Sequence, residues 1–131
     1  MSNKQTTIKS SVSLEGVGIH TGKDVKLSFK PADSDTGYVF KRLDLDGSPS
    51  IEALSKYVIN TQRGTTLEKN GVKLKTIEHV LAALVGLEID NVLIEINAEE
   101  PPIMDGSSKF FVDSLAVSYT HLTLPTTWLV V

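Results

Sequence analysis

Thr76-Ile77-Glu78-His79-Val80-Leu81-Ala82-Ala83-Leu84 is the stretch where the hydrophobic period of this 131-residue chain changes. Ile77, Val80, Leu81 and Leu84 recur at i, i+3, i+4 and i+7, the spacing of one helix face. Thr76 can cap the start and Gly86 can supply a left-handed stop, so the stretch predicts a helix between them. At about 100° per residue, Glu78 lies on the flank of the apolar stripe and His79 nearly opposite it. Ala82 and Ala83 sit beside His79, which makes the outward side small and neutral rather than charged. A helix with one bulky and one small face is expected to be covered on both sides. That sets Glu78 and His79 at a junction with a substrate or a second domain.

Before this helix the chain has the period of strands. Ile8 and Val12 lead to a turn at Gly16 and Gly18, and then Val25, Leu27 and Phe29 alternate with Lys26, Ser28 and Lys30, the pattern of a half-buried strand. Tyr38–Leu43 reads as a further strand. Short β segments follow at Ile51–Ala53, Tyr57–Asn60 and Thr65–Glu68, and Asn70-Gly71 is the strongest hairpin signal in the chain. A meandering antiparallel sheet is expected from this half. After the helix, Val92, Ile94 and Ile96 share one strand face, and Ser107 or Ser108 can cap a second helix through Lys109, Phe110, Phe111 and Val112. A mostly antiparallel sheet with two helices packed on one face predicts a two-layer α+β domain.

Composition bounds the function. Forty per cent hydrophobic and 22% charged residues suit one packed globular domain. With 13 basic against 16 acidic side chains, net charge −3, the electrostatic footprint of a nucleic-acid binder is missing. There is no cysteine, hence no disulfide, no thiolate metal site and no cysteine nucleophile. The polar start MSNKQTTIKS lacks an apolar signal core, and no apolar run approaches the ~20 residues of a membrane span. A cytoplasmic location is the expectation.

The chain changes character again at its end. Residues 117–131 carry no Asp, Glu, Lys or Arg, although the preceding 116 hold all 29. Val117-Ser118-Tyr119-Thr120-His121-Leu122-Thr123-Leu124-Pro125-Thr126 also resembles the in-frame translation of a common sequencing-library adapter, GTC TCT TAT ACA CAT CTG ACG CTG CCG ACG. The expected organisation is therefore a domain over 1–116 and a non-native tail over 117–131 from adapter read-through, a class of segment kept out of fold reasoning. His121 and Trp128 then carry no function.

That leaves His20 and His79 as the histidines available for chemistry. In the first turn of a helix an anion is favoured over a cation, which suits an ionised Glu78 and an uncharged His79, the forms of a general base and of a zinc ligand. No H-E-x-x-H spacing accompanies them, so two readings stay open: a metal-ligand pair, or a hydrogen-bonded structural histidine beside a surface glutamate. The glycines of Gly16-Val17-Gly18-Ile19-His20-Thr21-Gly22 can place His20 and Thr21 in a shallow backbone cradle. Thr61-Gln62-Arg63-Gly64-Thr65-Thr66 offers hydroxyls and a cation to a polar substrate, a composition also ordinary for a loop. Pro102-Ile103-Met104-Asp105-Gly106-Ser107 reads as strand end, tight turn and helix cap.

Taken in order, Gly16–Gly22, Thr76–Leu84, Gly86-Leu87-Glu88-Ile89-Asp90-Asn91 and Pro102–Ser107 closely resemble the N-terminal half of the UDP-3-O-acyl-N-acetylglucosamine deacetylase family, continuously from about Thr7 to Leu115. The resemblance implies the first of two similar domains, each a β-sheet with two helices. It implies zinc-dependent hydrolysis of the acetamide of a UDP-sugar lipid precursor in lipid A synthesis, at a site between the domains. Glu78 matches the general base and His79 one zinc ligand. Thr61 and Thr65 lie in a loop beside the substrate, and His20 is a further substrate-site candidate. The other ligands and the acid catalyst belong to a second half absent here, so the 131-residue chain is expected to be inactive and essentially metal-free. A fusion to a dehydratase, as in some members, is left open. The alternative reading is a non-catalytic α+β binding or assembly module, because fold alone does not fix function.

Overall fold

The computed structural model describes residues 4–18, 20–61, 64–104, 106–117 and 122–125. Its centre is a five-stranded sheet built from β2 (Val12–Val17), β3 (Asp24–Pro31), β4 (Tyr38–Arg42), β5 (Ser50–Glu52) and β9 (Val92–Ile96), in the spatial order β2-β3-β9-β4-β5. β3 shows why the sequence alternates. Val25, Leu27 and Phe29 are buried, while Lys26 faces out and Lys30 reaches Glu95 of the neighbouring strand at 2.6 Å. On the inner face Phe29 and Phe40 both register with Ile94 of β9, and Leu27 with Ile96. These side chains are fully buried together with Ile51 and Val92.

The sheet is mostly antiparallel, as expected, but its strand order is not the meander that the strand signals suggested. β9 inserts between β3 and β4 and runs parallel to β4, and a parallel neighbour requires a crossover connection, not a hairpin. That crossover contains a second sheet, β6 (Val58–Thr61), β7 (Gly64–Lys69) and β8 (Val72–Leu74), followed by α1 (Glu78–Gly86). The β7–β8 hairpin does turn at Asn70-Gly71, both with positive φ (54° and 81°), as a two-residue primed turn demands. Buried Arg42 ties the two sheets together. Its guanidinium donates 2.7 Å to the Lys73 carbonyl of β8 and grips Asp44 with two further bonds.

Both helices cover the inner face of the large sheet, completing an α+β fold. Val80, Ala83 and Leu84 of α1 and Phe111 and Leu115 of α2 (Lys109–Val117) belong to the one hydrophobic core. Phe111 meets Phe29 edge-on, with ring centroids 6.5 Å apart, a favoured aromatic geometry. Ala83 is therefore core and not part of a small outer face, whereas Ala82 and Val85 are exposed.

Two local expectations about the helices are corrected, and the expected cap of the second helix is found. Thr76 does not cap α1: it sits at φ 55°, Ile77 takes the cap position, and the Ile77 N–H donates instead to the Thr65 carbonyl. Gly86 stays inside the helix, and the left-handed residue is Glu88 at φ 59°. There Glu88 N–H reaches the Val85 carbonyl and Ile89 N–H the Leu84 carbonyl, the bonds of a Schellman ending. At α2 the two candidate caps divide the work: Ser107 Oγ accepts from Lys109 N–H, and the Ser108 carbonyl accepts from Val112 N–H.

The N-terminal strand β1 (Lys4–Thr7) pairs with β10 (Leu122–Pro125) in a two-stranded ribbon. β10 falls within the stretch read as a tail. His121 and Trp128 lie outside the described residues.

Candidate functional site

The start of α1 is held by β7. Thr65 accepts from Ile77 N–H with its carbonyl (3.2 Å) and donates its own N–H to Glu78 Oε1 at 3.1 Å. A carboxylate in the first helical turn is also favoured by the helix dipole. Gly64 makes this contact possible: a Cβ there would lie 2.8 Å from Glu78 Oε2, and its φ of 128° suits no L side chain. Glu78 is thus a half-buried carboxylate with one oxygen anchored on backbone. The Thr65 of the sequence reading enters through its backbone. Thr61 closes the β6–β7 hairpin opposite Gly64, its side chain outside the described set, as are Gln62 and Arg63.

His79 faces a different neighbour. It lines a small cavity of about 60 Å³ with Thr76, Pro101, Pro102, Ile103, Gly106 and Phe111. Glu78 and His79 are both half-buried and neither is sealed in the core. The carboxylate rests on β7 and the imidazole beside Pro101, Pro102, Ile103 and Gly106, so the two bracket the first turn of α1. Among the described residues no three His, Asp or Glu side chains gather as a metal site. The donors among the described residues therefore do not make a metal site by themselves.

The glycine-bracketed segment forms a cradle, and the occupant is one that sequence reading missed. Glu100, fully buried, points both carboxylate oxygens into it. Oε1 accepts from the N–H of His20 (2.7 Å) and Thr21 (3.4 Å), and Oε2 accepts from the Thr76 hydroxyl (2.8 Å) and meets His20 Nδ1 at 2.5 Å. Burial alone would raise the carboxyl pKa, yet the bonds from His20, Thr76 and Thr21 together outweigh it and hold the pKa below the ordinary glutamate value. Gly18 leaves the space, since a Cβ there would come within 2.8 Å of Glu100 Oε1. His20 is thereby brought to the residue that leads into α1. Thr76 is β-branched in the left-handed region, a conformation that persists only when its surroundings fix it. The only sequence sign of Glu100 is an acidic pair before Pro101-Pro102, and nothing local marks Glu100 rather than Glu99, which pairs with Lys75.

Volume is a poor guide to this site. The larger depression, about 540 Å³ beside Glu15, Val17, Asp24 and Asn97, contains none of these groups.

Comparison with known proteins concerns the chain as a whole. The family model described as UDP-3-O-acyl N-acetylglycosamine deacetylase matches residues 5–128. A bifunctional enzyme LpxC/FabZ of Bacteroides thetaiotaomicron is 50% identical over 112 residues, 86% of this chain and 24% of the relative. UDP-3-O-acyl-N-acetylglucosamine deacetylases of Geotalea uraniireducens and Wigglesworthia glossinidia brevipalpis are 45% and 49% identical over 111 and 124 residues. These alignments span 85% and 92% of this chain and 36% and 41% of those relatives. The chain thus spans between a quarter and two fifths of the relatives' length. Matched over most of its own length by that family model, the chain belongs to the UDP-3-O-acyl N-acetylglycosamine deacetylase family.

Proposed function

We propose that the chain is the N-terminal part of a zinc-dependent deacetylase that hydrolyses the acetamide of UDP-3-O-acyl-N-acetylglucosamine in lipid A biosynthesis, in the cytoplasm. The observation that carries this reading is the Glu78 carboxylate, anchored through one oxygen at a helix start and adjacent to the open imidazole of His79. Amide hydrolysis adds a water oxygen to the carbonyl carbon and releases the amine with a proton. Glu78, its Oε1 fixed by Thr65 N–H, is held in one place as the base that takes the water proton. His79 supplies one zinc ligand, the others coming from the second domain of the same polypeptide. Zinc, when bound, polarises the carbonyl and favours ionisation of water at neutral pH. The partner is a small UDP-sugar lipid, not nucleic acid. His20, Thr61 and Thr65 are assigned to its binding, and residues 117–131 to no part of the chemistry.

The test is the polypeptide encoded by the complete reading frame, assayed for acetate release from the UDP-sugar. Glu78→Gln is expected to lower kcat by about 10²–10⁴ with zinc retained, and His79→Ala to strip the zinc. The 131-residue chain alone is expected to show neither activity nor tight zinc uptake, since one ligand does not make a site. Full activity of Glu78→Gln, or loss of zinc from both variants, overturns the assignment.

A further inference from the structure

We propose that Glu100 is a positioning residue, one that fixes the His20 imidazole with Nδ1–H turned inward and Nε2 turned outward as a hydrogen-bond acceptor. The protons in the closed cradle decide the tautomer. An ionised carboxylate only accepts, and all its bonds here are accounted for by the His20 and Thr21 N–H groups on Oε1 and by the Thr76 hydroxyl and His20 Nδ1 on Oε2. Nδ1 therefore carries the ring proton, and in the uncharged ring Nε2 is the bare nitrogen. Glu100 is fully buried while the His20 side chain is 30% exposed, so the ring is gripped at one edge and presented at the other. The Thr76 hydroxyl, 3.3 Å from Nδ1, gives its own proton to Glu100 and is the third corner. Thr76, Pro101 and Pro102 also line the cavity of His79, so the gripped edge of the ring lies against the residue that leads into α1. A carboxylate behind a histidine commonly sets which nitrogen is offered to a ligand. That Nε2 meets an O–H or N–H donor of a sugar nucleotide rests on the deacetylase reading, whereas the orientation does not.

Long-range proton–nitrogen correlation spectra of the nitrogen-labelled 131-residue chain distinguish the tautomers, recorded above the ordinary imidazole range of about 6.5, with His20 identified by the loss of its signals in His20→Gln. Nδ1–H is expected as the major form. In Glu100→Gln the amide oxygen retains the two backbone donors and the NH₂ group takes the place of Oε2. Nδ1 must then accept, and the major form is expected to invert to Nε2–H. Thr76→Val is expected to leave Nδ1–H in place. A wild-type ring that is mostly Nε2–H overturns the proposal, as does a folded Glu100→Gln whose tautomer matches wild type. Should Glu100→Gln not fold, the wild-type and Thr76→Val spectra decide, an Nε2–H form in the wild type counting against the proposal. Because none of these readings needs activity, their failure is distinct from failure of the deacetylase assignment.

Discussion

At Gly64 one missing methyl group decides where a carboxylate sits. The φ of 128° and the 2.8 Å approach to Glu78 Oε2 mean that Gly64→Ala strains the backbone and pushes Glu78 off Thr65 N–H. We expect it to cost more than about 1 kcal/mol of stability and to lower kcat of the complete enzyme at least about tenfold, measured by denaturant midpoint and acetate release. Glu100 gives a pH signature. Its folded pKa lies below the ordinary glutamate value, so the stability it contributes is fully present above about pH 4.3, the unfolded value. It is lost as pH falls from there through the folded pKa. Urea midpoints measured downward from pH 5 should fall less steeply in Glu100→Gln than in wild type. At this scale the place of Glu78 and His79 in the first turn of α1 was legible because the helix is periodic. Glu100 was not, because its donors lie 80 residues away in sequence at His20 and 24 away at Thr76.

For the elements, the end of α1 holds a testable mismatch. Glu88 adopts φ 59° with no glycine to absorb it, while Gly86, two residues too early, stays helical. Glu88→Gly should raise stability by about 1 kcal/mol, read as a rise of about 4 °C in Tm for a chain of this size. The sequence placed a stop in this region correctly and chose the wrong residue. Glycine marks a preference for left-handed backbone, but packing of Ile89, which is buried, sets the register at which the helix must end. Asn70-Gly71 was read correctly because a two-residue turn is decided by its own two φ angles.

The whole molecule is closed by β1. Asn91 is buried and clips β1 to the core. Its Nδ2 donates to Gln5 Oε1, its Oδ1 accepts from Gly37 N–H, and its backbone exchanges bonds with Thr6 and Thr7. Asn91→Ala strands Gln5 Oε1 and the Gly37 N–H while keeping the backbone bonds, and should cost about 2–4 kcal/mol. Removal of residues 118–131 should cost less than about 1 kcal/mol, because β1 keeps these anchors and a two-stranded ribbon is marginal alone. Thermal unfolding of both variants checks the pair; a larger loss on truncation refutes the view that 117–131 are foreign to the domain. By itself the sequence determined the α+β class, the α1 helix with Glu78 and His79 in its first turn, and the half-buried alternation of β3, since each follows from a period of two or 3.6 residues within one segment. Only the tertiary structure decided that β9 enters between β3 and β4 and that Glu100 fills the glycine cradle. Those choices are made by burial and hydrogen bonding between segments far apart in the chain, which no local period encodes.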